Sequence, residues 1–138
     1  MGRIRVLLAD DNDEFLAVAG RLLESEYEVV KTVSDGQAVI EEAATLAPDL
    51  IVLDITMPVL NGIAAARRLR AAGFTGKMVF LTVHGDTDYV RAALAAGAQG
   101  FVDKSRLASD LLPALREVLA GRSYVSPNLA ITNRDSDG

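Results

Sequence analysis

The chain has 138 residues, half of them hydrophobic, with a formal net charge of −5 at neutral pH and no cysteine. That length suits one domain with its own core, and the missing cysteines exclude disulfides and thiolate metal sites. The acidic balance, with a pI of about 4.8, argues against nucleic-acid binding by this segment, because neutralising phosphates needs a basic patch.

Arg3 to Ala9 carries Ile4, Val6, Leu7 and Leu8 and reads as a first strand that ends on Asp10-Asp11. Acids clustered at a strand end repel one another, so a cation is expected beside them. Asp13 is placed to cap the next helix, which runs to about Ser25 with Phe15, Val18, Ala19, Leu22 and Leu23 at helical spacing. Gly20 inside that helix costs about 1 kcal/mol against Ala, which points to close packing within the domain or between chains. Tyr27 to Val33 reads as a second strand, Asp35 as a cap, and Gln37 to Leu46 as a second helix closed by Pro48.

Leu50 to Leu53 is an unbroken apolar run, the pattern of a strand buried on both faces in the middle of a parallel sheet. It ends on Asp54. A buried ionised carboxylate costs several kcal/mol unless paired or metal-bound, and strand carboxyl ends are where open α/β sheets bind ligands. A turn or a helix cap would also account for an acid there, so Asp54 alone does not decide. Met57 to Gly62 is a loop, and Ile63 to Ala71 a third helix stopped by Gly73. Lys77 to Thr82 is a fourth strand ending on a hydroxyl, followed by a helix capped by Asp86 or Thr87 and ended by Gly97. Gln99 to Val102 is a fifth strand that runs into Asp103-Lys104-Ser105, and Leu107 to Ala120 a last helix with Pro113 in its early turns. In the fourth helix Val90, Ala93 and Leu94 are expected inward and Ala92, Ala95 and Ala96 outward. The pattern decays from Gly121. Residues 1–121 are therefore expected to form one domain and residues 122–138 a linker or partly disordered tail.

Strand and helix alternate about five times, which predicts an α/β fold with a doubly wound five-stranded parallel sheet. In such a sheet the strand carboxyl ends share one rim. That rim would gather Asp10, Asp11, Asp54, Thr82 and Lys104: three carboxylates, a hydroxyl and an ammonium. Turn statistics do not readily produce four strand ends with complementary groups.

These residues, together with Met57-Pro58 and Gly62 behind Asp54 and Phe101 three before Lys104, resemble the receiver domain of a bacterial two-component response regulator, a flavodoxin-like fold. The resemblance covers about residues 3 to 120. Leu94 to Ser105 and Gly121 to Pro127 further resemble the subfamily that carries a C-terminal helix-turn-helix DNA-binding domain. The resemblance implies a signalling domain rather than an enzyme with external turnover. It would accept a phosphoryl group from a sensor histidine kinase on Asp54 and control an output, transcription in this subfamily. It implies Mg²⁺ held by Asp10, Asp11, Asp54 and the Thr56 carbonyl, with Asp10 acting mainly through a bound water. Lys104 would pair with the phosphoryl oxygens, Thr82 would hydrogen-bond them, and Thr82 and Phe101 would form the switch. Phe101 stands where the family often has Tyr and lacks its hydroxyl. A phosphorylation-dependent homodimer and cytoplasmic residence are expected; no apolar run reaches membrane-spanning length and the opening one is too short for a secretory leader.

Other classes fit less well. A haloacid-dehalogenase-like phosphatase needs a second Asp two residues after the nucleophile, where this chain has Thr56. A flavodoxin-like electron carrier needs a phosphate cradle of Ser, Thr and Gly, where Asp10 to Glu14 would repel phosphate. A stand-alone or degenerate receiver acting as an interaction module ranks low, because every expected site residue is present. His84, the one histidine, sits beside the site and is not read as a phosphocarrier.

Overall fold

The computed structural model describes residues 3–83 and 87–127, with the backbone alone at 87–89. Its strands are β1 (Arg5–Ala9), β2 (Glu28–Val33), β3 (Leu50–Asp54), β4 (Lys77–Thr82), β5 (Gly100–Asp103) and β6 (Tyr124–Val125). They form one parallel sheet in the order β2-β1-β3-β4-β5-β6. Helices α1 (Asp13–Glu24), α2 (Gly36–Leu46), α3 (Gly62–Ala71), α4 (Thr87–Ala95) and α5 (Leu107–Leu119) connect them. Side-chain alternation along each strand divides the core in two. Leu7, Leu53 and Phe80 pack with Val39, Ala66 and Val90 of α2, α3 and α4. Val6, Leu8 and Val52 pack with Ala19 and Leu115 of α1 and α5.

Local chemistry sets the helix starts. Asn12, Asp35 and Asn61 each accept a backbone N–H three residues on, from Phe15, Ala38 and Ala64. The cap of α1 is thus Asn12 rather than the predicted Asp13, which instead places a negative charge in the first turn, where the helix dipole favours it. The expected cap of α4 lies outside the described residues. In α4, Val90 and Ala93 are buried, as is Ala96 just past its end, while Leu94 is exposed. Leu94 and Ala96 therefore exchange their predicted faces; the buried positions follow the helical period, which a run of alanines hardly marks. A Cβ on Gly20 would meet nothing within 4 Å, so packing inside the domain does not explain that glycine. Gly62 is different. A Cβ there would collide with the carbonyl oxygen of Asp54, and its N–H donates to the Ile55 carbonyl at 2.7 Å. The start of α3 is thereby pressed against the end of β3.

The loop between them contains a strained residue. Val59 has φ +70° and is 80% exposed. A β-branched residue is a poor occupant of that region, and no burial compensates. Val59→Gly is expected to raise the unfolding free energy by about 1 kcal/mol, the relieved strain exceeding the entropy that glycine adds to the unfolded chain. Urea titration checks this, and an unchanged or lower midpoint would contradict it.

The sequence predicts five strands; the described residues form six. The sixth pairs Tyr124 with Gly100 and Val125 with Phe101, past the point where a linker was expected to begin. Two residues are too few for any periodicity to register. Ser126 follows, fully buried. Its hydroxyl accepts the Asp103 N–H at 3.0 Å and donates to Asp110 Oδ2 at 2.7 Å. Arg106 and Ser109 also donate to the Asp110 carboxylate. Burial pushes the Asp110 carboxyl up, but the hydrogen bonds from Arg106, Ser126 and Ser109 together outweigh it and hold the group below its ordinary value. A depressed folded value contributes stability above the unfolded carboxylate value of about 3.9 and loses it as pH falls through the folded one. Asp110→Asn is expected to cost about 1–3 kcal/mol at neutral pH, with the difference from wild type shrinking in acid. Chemical denaturation at several pH values tests this; a gap that persists at the lowest pH would show that the charge is not its source.

Candidate functional site

The rim at the carboxyl end of the sheet collects the predicted residues. In the strand registers Ala9 lies beside Leu53, Asp54 beside Leu81, and Thr82 beside Asp103. Asp10 follows directly on β1, fixed by its N–H to the Val33 carbonyl at 3.1 Å. Asp10 and Asp54 are buried and Asp11 is exposed. One carboxylate oxygen from each of the three lies within 4.8 Å of those of the other two.

Lys104 enters from the start of a single 3₁₀ turn after β5. Asp103 shapes that turn, its Oδ1 accepting both the N–H and the hydroxyl of Ser105 at 2.8 Å. The Lys104 ammonium lies 2.6 Å from Asp10 Oδ2 and 3.2 Å from Asp54 Oδ2. The other Asp10 oxygen accepts the Asn12 N–H at 2.9 Å. Asp10 Oδ2, wholly buried, has the ammonium beside it but no aligned hydrogen bond. On the side of α1, the Phe15 ring centroid stands 4.4 Å from the same ammonium.

Burial pushes the Asp54 carboxyl above its ordinary value, and the neighbouring Asp10 charge adds to the rise. Lys104 and the Thr56 N–H oppose it without cancelling it. Burial and the Asp10 charge thus disfavour the ionised form of Asp54 relative to a free aspartate. Three carboxylates against one ammonium leave two formal negative charges. A small divalent cation with oxygen ligands would offset that excess, and the three clustered carboxylates are the donor set such an ion takes.

Residues 6–116 match the family model of the response regulator receiver domain. The chain belongs to that family. Among relatives, this receiver is 34% identical over 129 residues to the transcriptional regulatory protein DegU of Brevibacillus brevis and 30% identical over 129 residues to the response regulator UvrY of Escherichia coli K12. The matches take in 92% of the chain and 55% and 59% of those proteins, so the receiver spans little more than half their length. A LuxR-family two-component response regulator from Aurantimonas sp. SI85-9A1 superposes with a TM-score of 0.91 at 29% identity, over 99% of both chains. The response regulator domain of Thermotoga maritima CheB gives 0.79 at 27% identity, over 86% of this chain and 97% of that one. The receiver is a signalling module of the two-component type, and its fold is the flavodoxin-like one expected, with one strand more.

Within the receiver, Asp10, Asp11, Asp54 and Lys104 converge on one point. Thr82 is buried at the end of β4, level with Asp103, the residue that precedes Lys104. The Thr56 side chain is exposed, leaving its backbone to face Asp54. Phe101 is fully buried, its ring centroid 6.0 Å from that of Phe80 in the cluster that includes Val90 of α4. His84 lies outside the described residues. Phe15 is the member that sequence reasoning passed over: it was read only as the apolar stripe of α1, and nothing local signals its meeting with Lys104, 89 residues away.

Proposed function

We propose that this receiver accepts a phosphoryl group on Asp54 from the phosphohistidine of a sensor kinase and uses it to change a distant surface. The observation that carries the reading is the buried strand-end carboxylate of Asp54 with the Lys104 ammonium at 3.2 Å and two further carboxylates in reach. Asp54 would be the nucleophile. Burial raises its carboxyl above the ordinary aspartate value, which makes the carboxylate a better base and nucleophile than a free aspartate. Lys104 would move its contact from carboxylate to phosphoryl oxygen and stabilise the charge that builds there. The Thr82 hydroxyl would donate to the phosphoryl group. Asp11, Asp54 and the Thr56 carbonyl would hold Mg²⁺ directly and Asp10 through water; when bound, the ion supplies the positive charge that lets one anion approach another.

The readout would run through Thr82 and Phe101 toward α4. Phe101 shares a core cluster with Val90, Ala93 and Ala96, so a displaced Thr82 or Phe101 would be felt along that helix. The similarity to DegU and to a LuxR-family regulator supports control of transcription through a region beyond the receiver. Phosphorylation would favour a homodimer, the phosphodonor would be a two-component sensor histidine kinase, and the receiver would act in the cytoplasm. Among the described residues no helix is long and apolar enough to cross a membrane.

The reading is tested by incubating the protein with acetyl phosphate, with and without Mg²⁺, and recording intact mass and sedimentation. One added phosphoryl group only when Mg²⁺ is present, with a shift toward dimer, is the expected result. No mass gain under any condition would overturn the phosphoacceptor role, and a phosphorylated monomer would overturn the dimer.

A further inference from the structure

We infer that Phe15 is a positioning residue for Lys104, its ring acting as a neutral backstop that holds the ammonium at the phosphorylation site in both states of Asp54. The inference rests on the phosphoacceptor reading for its function and on geometry for its form. The ring centroid is 4.4 Å from Lys104 Nζ, inside the range where a cation is drawn to an aromatic face. Asp10 Oδ2 at 2.6 Å and Asp54 Oδ2 at 3.2 Å bind the same ammonium. The lysine side chain is only 13% exposed, so the attraction acts with little water between.

The backstop differs from the carboxylates in one respect. Phosphorylation redistributes charge among the oxygens facing Lys104, because Asp54 loses its own charge to the acyl link and the phosphoryl group brings a larger one. The aromatic face does not change. It offers no hydrogen bond that must break when the ammonium shifts from carboxylate to phosphoryl oxygen, yet it opposes a swing toward the open groove bounded by Asn12, Val18, Ser105 and Ala108. The cap of α1 sets the ring's place: the Phe15 N–H is the donor to Asn12 Oδ1 at 2.9 Å, and the Asn12 N–H donates to Asp10. One short segment thus orients both the acid and the ring that flank Lys104.

A leucine at this position keeps apolar volume but removes the attraction of the aromatic face for the ammonium; a tyrosine keeps both. Beryllofluoride with Mg²⁺, titrated into wild type, Phe15→Leu and Phe15→Tyr, is expected to bind Phe15→Leu about three- to tenfold more weakly and Phe15→Tyr within about twofold of wild type. In a Lys104→Met background, Phe15→Leu is expected to add no further loss. The Lys104 ε-methylene protons supply a readout that needs neither ligand nor the second variant. They are expected upfield, shielded by the ring, in wild type and Phe15→Tyr, and at their ordinary position in Phe15→Leu. Equal binding by Phe15→Leu and wild type, an equal loss in Phe15→Tyr, or unshielded methylenes in wild type would each overturn the inference. If wild type binds no beryllofluoride while the methylenes are shielded, the phosphoacceptor reading fails and the Phe15–Lys104 contact stands.

Discussion

Asp54→Asn is expected to abolish phosphoryl uptake, lowering its rate by on the order of a thousandfold or more, since a variant without its nucleophile keeps only binding and electrostatic assistance. Three acids share the rim, and their surroundings differ. Asp10 is fully buried, with one oxygen committed to the Asn12 N–H and the other against Lys104. Asp11 is exposed and stands outside the strand. Asp54 alone ends the central strand, is slightly open to solvent at 7% exposure, and has Lys104 beside one oxygen while the start of α3 braces its backbone. Intact mass after acetyl phosphate and Mg²⁺ gives the answer, with peptide mapping of any residual product. A gain in Asp54→Asn equal to that of wild type would place the phosphoryl group elsewhere.

Metal affinity is expected to fall steeply in Asp11→Asn and hardly at all in Thr56→Ala. Removing one carboxylate from a cluster with two excess negative charges takes away both an oxygen ligand and half of the attraction that the ion answers. Losing an outer partner of a metal ligand typically costs about 10- to 100-fold in affinity, and a direct ligand should cost at least that. Thr56 points its side chain to solvent and would contribute only its carbonyl, which alanine retains. Mg²⁺ titration followed by amide shifts or calorimetry separates the two. Equal losses in both variants would mean that the Thr56 hydroxyl, not its backbone, faces the ion.

Much of this was legible in the chain because the informative residues are local punctuation. Leu50 to Leu53 running into Asp54, and Ile4 to Leu8 running into Asp10, are patterns of composition and termination that a parallel sheet turns into one rim. The family motifs then fix which strand ends matter. Long-range meetings were not legible. Phe15 looks like any other apolar helix position until Lys104 is brought against it. Ser126 follows a strand of two residues, and a polar residue after a decaying pattern reads as tail. Asn12 and Asp13 are adjacent capping types, so only backbone geometry tells which one caps. The faces of α4 are blurred by alanine, whose small side chain marks neither core nor surface.

The sixth strand bears on where this unit can be severed. β5 would be the margin of the sheet without Tyr124 and Val125, and a margin strand with free N–H and C=O groups is a template for pairing with another molecule. A chain cut after Gly121 would strip that cover from Gly100 and Phe101. It would also leave the Asp103 N–H and the Asp110 carboxylate without the hydroxyl that joins them. Such a fragment would retain every residue of the proposed phosphoacceptor site and is expected to self-associate through its raw edge, mimicking the proposed activated dimer in the absence of any phosphoryl group. Keeping the chain through Pro127 preserves the hem, so that a dimer then seen does not owe itself to the scissors.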